Sequence, residues 1–598
     1  MPLDTVKRRF ASYDQQYAEW KAQNGLAPEQ KVFLIKVEFR CDRPESLIDA
    51  LSERGWVENS DKDELGHKFF DFFWSVRSED VPWEKLQPWQ IVNHTQRVEE
   101  FTRKILLYRN LRDSRFVCDH DVDDYLPRSY DLSDGLQREE FCQNFKCTYA
   151  QALVQRLAAG EALSIDPATA ALQAVARQVD VLANTDDALA EEDATFDGGD
   201  VLHSEWCVMH PGSSAKSTSR TSSPKCEQWA SMAASADLRE EARSMASQLD
   251  DLSKSMHPQL ALNGPQNLWV LKPGGLSRGR GVSIIDSLSE ATRYFNGWFT
   301  VQKYQENPLL ITRLGERRKH DIRQYTLIES WEPLRVWFAP ETVIRFAAQP
   351  YDFGDRSSKG VHLTNTAIGK QWADNESLQC SSEEYAKLLM DQFGFDVYHE
   401  RILPQMRRIV TTSASCLRAT MKQPHAGQSY ELVGYDFCVS DDFRVWLLEV
   451  NEMPSFEAEG FPAFQRVVHR CMRDTLRVML KEPCPDSEDA FFNILIEEPA
   501  LVPLPLSVPD LTLHGVGYGI LAPLRKVASD PALFRDNQSV RAYLDKIARR
   551  KQKDGERVEA RRRREASASR LVLRQIRARS RPSSSSSLAC RASRDEQR

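Results

Sequence analysis

Three oxygen-bearing side chains lie on two neighbouring apolar runs of the sequence: Asp436 in GYDF, and Glu449 and Asn451 in LLEVNE. The runs LVGYDFCVS and RVWLLEVNE, separated by DDF, predict a β-hairpin on which Glu449 and Asn451 share one face. Asp436 lies on the paired strand, where it can face them. Burial of carboxylates among Val, Leu and Trp costs free energy unless a cation compensates their charge. Hard oxygen ligands of this kind suit magnesium. The alternative is a strand pair with one solvated face.

A glycine-rich segment, LWVLKPGGLSRGRGVSIID from Leu268 to Asp286, has the composition of a phosphate-binding hairpin. Apolar runs at its two ends predict strands, the first of which ends at a proline. The glycines between them allow the backbone to approach an anion closely, and Lys272, Arg278 and Arg280 supply positive charge. An ordinary glycine-rich surface hairpin is the alternative, so the segment needs partners elsewhere in the chain.

A third cluster lies in KHDIR, where Lys319, Asp321 and Arg323 alternate along a predicted strand and therefore share a face. Arg345 occupies a neighbouring strand, because the runs DIRQYTLIES, LRVWFAP and TVIRFAAQ have the hairpin spacing of an antiparallel sheet. Cations around a carboxylate could be a structural ion-pair network, or could bind a carboxylate or a transferring phosphoryl group. The segment HLTN adds the neutral hydrogen-bonding groups His362, Thr364 and Asn365.

The composition is that of a large globular protein. Of the 598 residues 41% are hydrophobic, with 13 Trp and 27 Phe, which is enough to build several cores. No apolar run reaches the roughly 18 residues of a membrane span, and the start MPLDTVKRRF lacks the apolar core of a signal peptide, so we expect an intracellular protein. Twelve scattered cysteines without a CxxC pair indicate neither a zinc site nor a disulfide framework.

The pattern of apolar runs and polar segments predicts an α/β (α+β) chain in successive regions. An aromatic stripe at helical spacing predicts a docked N-terminal helix: Phe10, Tyr13, Tyr17 and Trp20. An acidic patch and a Ser/Thr-rich stretch predict a disordered or loosely helical insertion after the first α/β domain. The expected regions are a helical extension (1–30), an N-terminal α/β domain (31–183), the insertion (184–263), two sheet-containing regions (264–350 and 351–500) and a Pro-rich, then basic tail (501–598).

The C-terminal region is strongly basic. From Arg541 to Arg598 there are 19 Lys and Arg against 7 Asp and Glu, a net charge of +12 in a chain whose net charge is −8. Such a tail suggests an acidic partner or nucleic acid, or else a solvated segment without a specific ligand. The absence of interleaved aromatic residues counts against nucleic acid.

Six motifs together resemble a known family. LWVLKPGGLSRGRG, VQKY, KHDIRQY, VHLTN, GYDF and LLEVNEMPS occur in the order found in the tubulin tyrosine ligase-like family of ATP-grasp ligases. The sequence looks most like the tubulin glycylases, because of SRGRG, QKYQENPLLI and VWFAPETVIRFAAQP. The motifs span about Asn267 to Pro499, with weaker similarity from Lys31 to Val154. The resemblance implies an ATP-grasp core with a central (264–350) and a C-terminal (351–500) antiparallel-sheet subdomain.

The resemblance also implies the roles of individual residues. Arg323, Arg345 and Glu449 would be catalytic, and Asp436, Glu449 and Asn451 would hold magnesium. ATP would be bound by Lys272, Ser277, Arg278, Gly279, Arg280, Gly281, Val282, Gln302, Lys303, Tyr304, Lys319, Asp321, Thr364 and Asn365. His320, Glu452 and Met453 depart from the usual family pattern without removing any of these residues.

The family reaction activates a glutamate side chain of the tubulin tail as an acyl phosphate, which the amine of an amino acid attacks to form an isopeptide bond. The resemblance therefore implies glycine as co-substrate, tubulin or microtubules as partner, no membrane span and a monomer. It further implies a place in the cytoplasm on the microtubule cytoskeleton, in the axoneme of a cilium or flagellum. Glutamate ligation by the same fold and a non-catalytic microtubule-binding relative are the alternatives.

Overall fold

The structure is a computed structural model. The chain divides into two units, Met1–Thr512 and Leu513–Arg598. The structure describes residues 3–37, 43–60, 69–112, 121–183, 200–210, 234–274, 279–365, 378–421, 424, 426–452, 454, 462–483 and 491–498, with only the backbone for 3–12 and 462–463. All of these lie in the first unit. The tail predicted for 501–598, with its basic stretch from Arg541, lies outside the described residues.

The described residues form a mixed α/β structure, as the sequence predicted. The helices are α1 (Leu3–Gln23), α2 (Glu45–Glu53), α3 (Glu99–Thr102), α4 (Lys104–Leu111), α5 (Gly135–Ala158), α6 (Ile165–Ala183), α7 (His203–Met209), α8 (Ala236–Ser255), α9 (Leu288–Thr292), α10 (Lys359–His362), α11 (Ser382–Phe393), α12 (Leu403–Leu417) and α13 (Pro462–Met479). Among these described helices, none is both long and apolar enough to cross a membrane.

The strands of the described residues group into three larger sheets and one hairpin. They are β1 (Val32–Lys36), β2 (Val57–Glu58), β3 (Phe72–Ser75), β4 (Ile91–Val92), β5 (Ser129–Asp131), β6 (Trp269–Pro273), β7 (Ser283–Ile285), β8 (Phe299–Lys303), β9 (Ile311–Arg313), β10 (Glu316–Arg318), β11 (His320–Trp331), β12 (Leu334–Phe338), β13 (Val343–Phe346), β14 (Gln379–Ser381), β15 (Gln428–Ser429), β16 (Glu431–Val439), β17 (Val445–Asn451) and β18 (Asn493–Glu497). Strands β9 and β10 form the hairpin.

The N-terminal sheet is parallel, in the order β15-β4-β3-β1-β2. The helix α2 that follows β1 buries Leu47, Ile48 and Leu51, which is the apolar face of the predicted amphipathic helix. Tyr13, Tyr17 and Trp20 of helix α1 pack on Phe69, with the ring of Tyr17 stacked at 5.5 Å. Strand β15 comes from a distant part of the sequence, so this sheet is completed from outside the region predicted as the N-terminal domain.

A second, antiparallel sheet has the order β5-β8-β6-β7 and contains the predicted glycine-rich hairpin, with Trp269 opposite Ile285. Trp269 is fully buried in a core that it shares with α5 and α6. Helices α7 and α8, which belong to the segment predicted as a disordered or loosely helical insertion, also pack into this core through Trp206 and Leu249. One core therefore contains residues from three of the regions expected from the sequence. The boundaries between these regions stay predictions.

The third sheet is antiparallel and has the order β14-β13-β11-β12-β18, with β16 paired to β11 and β17 paired to β16. These pairings confirm the antiparallel sheet predicted from DIRQYTLIES, LRVWFAP and TVIRFAAQ, in which β12 and β13 both pair with β11. They also confirm the hairpin predicted from LVGYDFCVS and RVWLLEVNE. Strand β16 is buried along its whole length because the sheet is covered on both faces. Tyr435 and Phe437 lie in one core, whereas Leu432 lies in another. Asp436 shares the face of Leu432, where polar side chains gather.

Candidate active site

The register of the third sheet brings the predicted charged residues into one row. Asp321 on β11 lies opposite Arg345 on β13, and Arg323 on β11 lies opposite Asp436 on β16. Asp436 in turn lies opposite Glu449 on β17. Alternation along each strand directs these side chains to one face, as predicted. Two motifs that are separated by more than 100 residues in the sequence thus form one site.

Two arginines and two aspartates of this row form a buried network. Arg345 donates from Nε to Asp321 Oδ1 at 2.7 Å and from its terminal nitrogen to Oδ2 at 2.6 Å. The same terminal nitrogen lies 3.0 Å from Asp436 Oδ2. Arg323 makes two bonds to the Asp436 carboxylate, at 2.5 and 3.0 Å. Side-chain exposure is 8% or less in all four residues, so the ions compensate one another out of contact with bulk water.

The arginines keep Asp436 ionised. Burial by itself raises the pKa of the Asp436 carboxyl, but Arg323 and Arg345 outweigh this effect and lower it to about 2. Glycine is required at 434 for the same arrangement, since a Cβ there would lie 2.9 Å from Arg323 Cδ. Gly434, in the GYDF motif, therefore leaves room for the Arg323 side chain beside Asp436.

Glu449 pairs with a cation that the sequence did not indicate. Lys104 Nζ, at the start of α4, lies 2.9 Å from Glu449 Oε2. Burial acts to raise the pKa of Glu449, but Lys104 and Lys272 lower it on balance. Asn451 donates from Nδ2 to Asp436 Oδ2 at 3.2 Å, which holds two of the three predicted metal residues together. Lys104 lies about 350 residues before Glu449 in the sequence, so no local pattern could have indicated this contact.

The glycine-rich hairpin contributes Lys272, whose Nζ donates to Gln302 Oε1 at 2.6 Å. Burial lowers the pKa of Lys272 to about 8. At the base of the loop, a Cβ on Gly274 would lie 2.9 Å from the ring of Trp298, so a larger residue would displace this half-exposed tryptophan. Lys272 is thus a cation held in the wall of a cleft, with a neutral amide as its hydrogen-bond partner.

A chain of hydrogen bonds crosses the cleft from Lys319. Its Nζ donates to the Tyr304 hydroxyl at 2.9 Å, which in turn lies 2.8 Å from His362 Nδ1. His362 Nε2 lies 2.8 Å from the carbonyl oxygen of Asp355. A carbonyl oxygen only accepts, so Nε2 carries the proton and Nδ1 accepts from Tyr304. Burial lowers the pKa of Lys319 to about 8 and that of His362 to about 4, so the imidazole is neutral.

These elements line one cleft with a volume of about 120 Å³ that opens to solvent. The predicted residues that line it are Lys272, Gly279, Val282, Gln302, Lys303, Tyr304, Lys319, Asp321, Thr364, Asn365, Asp436 and Glu449. Arg323, Arg345 and Asn451 lie behind the wall, where they contact Asp436. Arg280 and Gly281 are exposed. Ser277 and Arg278 lie outside the described residues.

One predicted ligand residue has a structural partner. Lys303 Nζ lies 2.6 Å from Glu306 Oε1 and donates to the Leu268 carbonyl oxygen at 2.8 Å, and both ionic side chains are completely buried. Glu306 also accepts from the backbone N–H of Leu268 at 2.7 Å. The ammonium of Lys303 therefore ties β8 to β6, and the residue contributes to the cleft as part of its wall.

The donor set of the cleft fits a nucleotide with a divalent cation. Gln305, which the sequence analysis did not single out, lines the cleft and is only 4% exposed. Neither its amide nitrogen nor its amide oxygen has a hydrogen-bond partner among the described residues. The cleft lining also includes apolar side chains, among them Val270, Ile284 and Leu448. A heterocyclic base would bury against these side chains and satisfy the amide, while Asp436 and Glu449 offer hard oxygens at the cationic end.

Similarity to known proteins identifies the class of protein to which this chain is related. Residues 209–489 match the model of the Tubulin-tyrosine ligase family, so the chain carries a domain of this family, as its motifs predicted. The resemblance to tubulin glycylases is also confirmed. Tubulin glycylase 3B of Tetrahymena thermophila is 31% identical over 534 residues, which cover 77% of this chain and 43% of the relative.

Two animal relatives show the same similarity. Protein monoglycylase TTLL8 of Homo sapiens is 26% identical over 479 residues, 74% of this chain and 55% of the relative. Tubulin monoglycylase TTLL3 of Mus musculus is 26% identical over 466 residues, 72% of this chain and 48% of the relative. The chain thus spans about half the length of the curated relatives it matches.

Proposed function

We propose that this protein is an ATP-dependent ligase that adds glycine, through an isopeptide bond, to glutamate side chains of tubulin C-terminal tails. The observation that carries the proposal is a single cleft lined by Lys272, Lys319, Asp436 and Glu449. Cations and carboxylates in one lining suit a magnesium-bound polyphosphate. The glycine donor and the tubulin acceptor follow from the names of the relatives.

Each part of the cleft then has a role. Lys272, Lys319 and the loop with Ser277, Arg278 and Arg280 bind the phosphates, while Gln302, Tyr304 and Gln305 form the base-binding end. Asp321, Thr364 and Asn365 bind the ribose or the phosphates. Asp436, Glu449 and Asn451 hold magnesium, which would neutralise charge as the phosphoryl group is transferred to the acceptor carboxylate.

The arginine pair positions this chemistry. Arg323 and Arg345 keep Asp436 ionised and place their positive charge behind the γ-phosphate end of the cleft. A preorganised cation there stabilises negative charge as it develops in the transition state, because the groups need no reorganisation. Exclusion of water from this end also protects an acyl phosphate until the amine of glycine attacks it.

The donor amino acid is tested by mass spectrometry of a tubulin tail peptide incubated with the protein, ATP and either glycine or glutamate. We expect a gain of glycine mass. A gain of glutamate mass instead would overturn the glycine assignment in favour of a glutamate ligase. No gain with either amino acid, together with intact binding of the peptide, would mark a non-catalytic relative. The variant Glu449→Gln is the inactive control for a true ligase.

Nucleotide affinity is expected to fall as pH rises through about 8. Burial lowers the pKa of both Lys272 and Lys319 to about 8, so they are charged below this pH and lose their protons above it. Each lost charge should weaken binding by up to roughly tenfold per pH unit. The measurement is the dissociation constant of a fluorescent ATP analogue from about pH 7 to about pH 9.5.

The double variant Lys272→Arg/Lys319→Arg is the control for this pH dependence. Guanidinium groups stay protonated over the whole range, so the profile of the variant should be flatter than that of the wild type. A wild-type affinity that does not change across pH 8 would contradict the assignment of both lysines to the phosphates.

The basic tail, which lies outside the described residues, is proposed to strengthen microtubule binding. Its net charge of +12 suits the acidic microtubule surface through long-range attraction. Deletion of the residues beyond Val540 should weaken co-sedimentation with microtubules at low salt. The deficit should shrink at high salt, where exposed charges are screened within about 3 Å. Unchanged binding at low salt would refute this role. A microtubule location, in a cilium or flagellum, and a monomeric state belong to the same proposal.

A further inference from the structure

A buried histidine–glutamate pair joins the N-terminal sheet to the third sheet. His94 follows β4, Glu431 is the first residue of β16, and side-chain exposure in both is 1% or less. His94 Nδ1 lies 3.2 Å from Glu431 Oε1, and the backbone N–H of Thr95 donates to Glu431 Oε2 at 2.9 Å. One carboxylate thus holds two consecutive residues of the N-terminal region. Neither His94 nor Glu431 lines the candidate active site.

The hydrogen bonds of His94 show how the pair shares its proton. Nε2 lies 3.0 Å from the carbonyl oxygen of Ser75 at the end of β3, and a carbonyl oxygen only accepts, so Nε2 carries a proton. The other ring nitrogen faces Glu431, with one proton between them. Burial raises the pKa of the Glu431 carboxyl to about 7, although His94 acts to lower it. A neutral side chain at position 431 is therefore compatible with these contacts, provided that it donates to Nδ1 and accepts from Thr95.

The linking segment, which we define as residues 93–104 from the end of β4 to the start of α4, passes the outer strand of the third sheet. This strand is β17, since among the described strands it pairs only with β16. Phe101 of the segment is fully buried in the core that contains Tyr435, with the two rings edge-on at 5.8 Å. Thr102 Oγ1 lies 3.1 Å from Glu452 Oε2, one residue beyond β17. The segment is thus attached along the β16–β17 hairpin.

The linking segment ends at Lys104, which lies in the lining of the candidate active site. Its Nζ lies 2.9 Å from Glu449 Oε2. Phe101 packs with Tyr435 on the other face of the third sheet, because Tyr435 and the cleft residue Asp436 are adjacent on β16 and point to opposite faces. The segment therefore brings the ammonium of Lys104 around the edge of the sheet to the cleft.

The contact of Lys104 with Glu449 depends on the register of the linking segment. A helix advances about 1.5 Å per residue, so a shift of one residue along the edge would lengthen the 2.9 Å contact beyond hydrogen-bonding distance. The apolar packing of Phe101 is non-directional, whereas the two bonds to Glu431 each require a donor in one place. A buried ion pair adds little to stability compared with apolar side chains of the same volume, and its best-attested role is to fix a register.

We propose that His94 and Glu431 are positioning residues, whose pair holds the linking segment in the register that keeps Lys104 at Glu449 in the cleft. The inference deepens the proposed function and rests on it for the effect on ligation. Glu431 lies within residues 209–489, which match the family model, whereas His94 and Lys104 lie before them. The pair thus makes the N-terminal region part of the candidate active site.

The direct test is acylation of Lys104 by N-acetoxysuccinimide in the full-length protein without ATP, quantified by mass spectrometry after digestion. Glu431→Leu keeps the side-chain volume but removes both hydrogen bonds, so acylation of Lys104 should become about fivefold faster or more as its contact with Glu449 is lost. Glu431→Gln retains both bonds and should match the wild type within about twofold. Lys254, 65% exposed on α8, is the internal control and should react equally in all three proteins. Equal rates at Lys104 in all three would overturn the proposal, and Glu431→Ala replaces Glu431→Leu if thermal unfolding shows that the latter does not fold.

A double-mutant cycle with Lys104→Ala separates positioning from a general loss of stability. With Lys104 present, Glu431→Leu should lower kcat for ligation about tenfold or more, and Glu431→Gln should stay within about twofold of the wild type. In the Lys104→Ala background, Glu431→Leu should cause no further loss, because the group that it positions is already absent. An equal fold loss in both backgrounds would show a merely structural role and refute the proposal. Acylation needs no catalysis, so a protein that ligates nothing would refute the proposed function, while the reactivity of Lys104 would still decide the role of the pair.

Discussion

The variant Lys272→Ala should lose ATP-dependent ligation while its thermal stability stays unchanged or increases. Lys272 is placed to bind phosphates, and loss of one preorganised cation at such a site costs about 10²- to 10³-fold in rate or more. In the folded protein, the cost of burying this ammonium outweighs its attraction to Glu449, and its hydrogen bond goes to the neutral Gln302. Burial lowers the pKa of Lys272 from 10.5 to about 8, which means that the charged form is destabilised in the folded state.

The stability effect has a defined pH dependence. The folded pKa lies below the unfolded pKa, so the penalty for burying the charge is fully present below pH 8 and disappears as pH rises to about 10.5. A gain in Tm for Lys272→Ala should therefore be largest near neutral pH and shrink in alkali. The measurements are a single-turnover assay and differential scanning calorimetry. Lys36→Ala is the control, since this lysine is 50% exposed in its pair with Asp80 and its loss should change neither quantity.

A variant that lost activity together with several degrees of Tm would show that Lys272 is mainly structural. Retained ligation with an unchanged KM for ATP would remove it from the phosphate site. Lys272→Arg separates charge from shape, because it keeps a positive group on the same strand.

The variant Arg345→Ala is expected to destabilise the fold by about 3–5 kcal/mol and to abolish ligation. It removes the partner of two buried carboxylates at once, Asp321 at 2.6 Å and Asp436 at 3.0 Å. Uncompensated buried charge accounts for a loss of this size. The matched control Arg335→Ala also removes the partner of two carboxylates, Glu497 and Glu329, but from a side chain that is 39% exposed, where about 0–1 kcal/mol per pair is expected.

A double-mutant cycle separates the structural from the catalytic role of Arg345. Adding Asp321→Asn to Arg345→Ala removes one of the orphaned charges and should recover part of the lost Tm, because the two changes are coupled through a direct contact. Activity should not recover, since the cation behind the cleft is still missing. Recovery of both stability and ligation in the double variant would mean that the arginine acts only through Asp321.

Much of the site was predictable because its chemistry is encoded in short motifs. GYDF and LLEVNE specify a strand pair, and the register confirms that Asp436 faces Glu449. The alternation in KHDIR likewise put Asp321 and Arg323 on one face. Asp321 contacts Arg345, its predicted neighbour, whereas Arg323 contacts Asp436, which no local pattern had paired with it. The roles of these residues in binding ATP and magnesium stay predictions.

Some residues of the cleft had no signal in the sequence. Lys104 begins a helix with ordinary amphipathic spacing, yet it supplies the counterion of Glu449. Gln305 follows VQKY in the sequence, and no pattern there indicates a ligand-binding residue. Only the structure indicates one, because the buried amide of Gln305 lacks a hydrogen-bond partner among the described residues. In the other direction, Lys303 was expected in the base pocket, but its ammonium is satisfied by Glu306 within the wall. Partners across long sequence separations depend on packing that no local pattern reports.

The sequence by itself determined the hairpins and the charged motifs, because period-two alternation and turn residues act over only a few positions. The order of its motifs also determined the relation to the tubulin-tyrosine ligase family. Tertiary structure alone decided which charges compensate one another and which remain for a ligand. Arg323 and Arg345 are neutralised by buried aspartates, whereas Lys272 is left facing the cleft. Strand register and desolvation set this distinction, and both arise only when distant segments pack together.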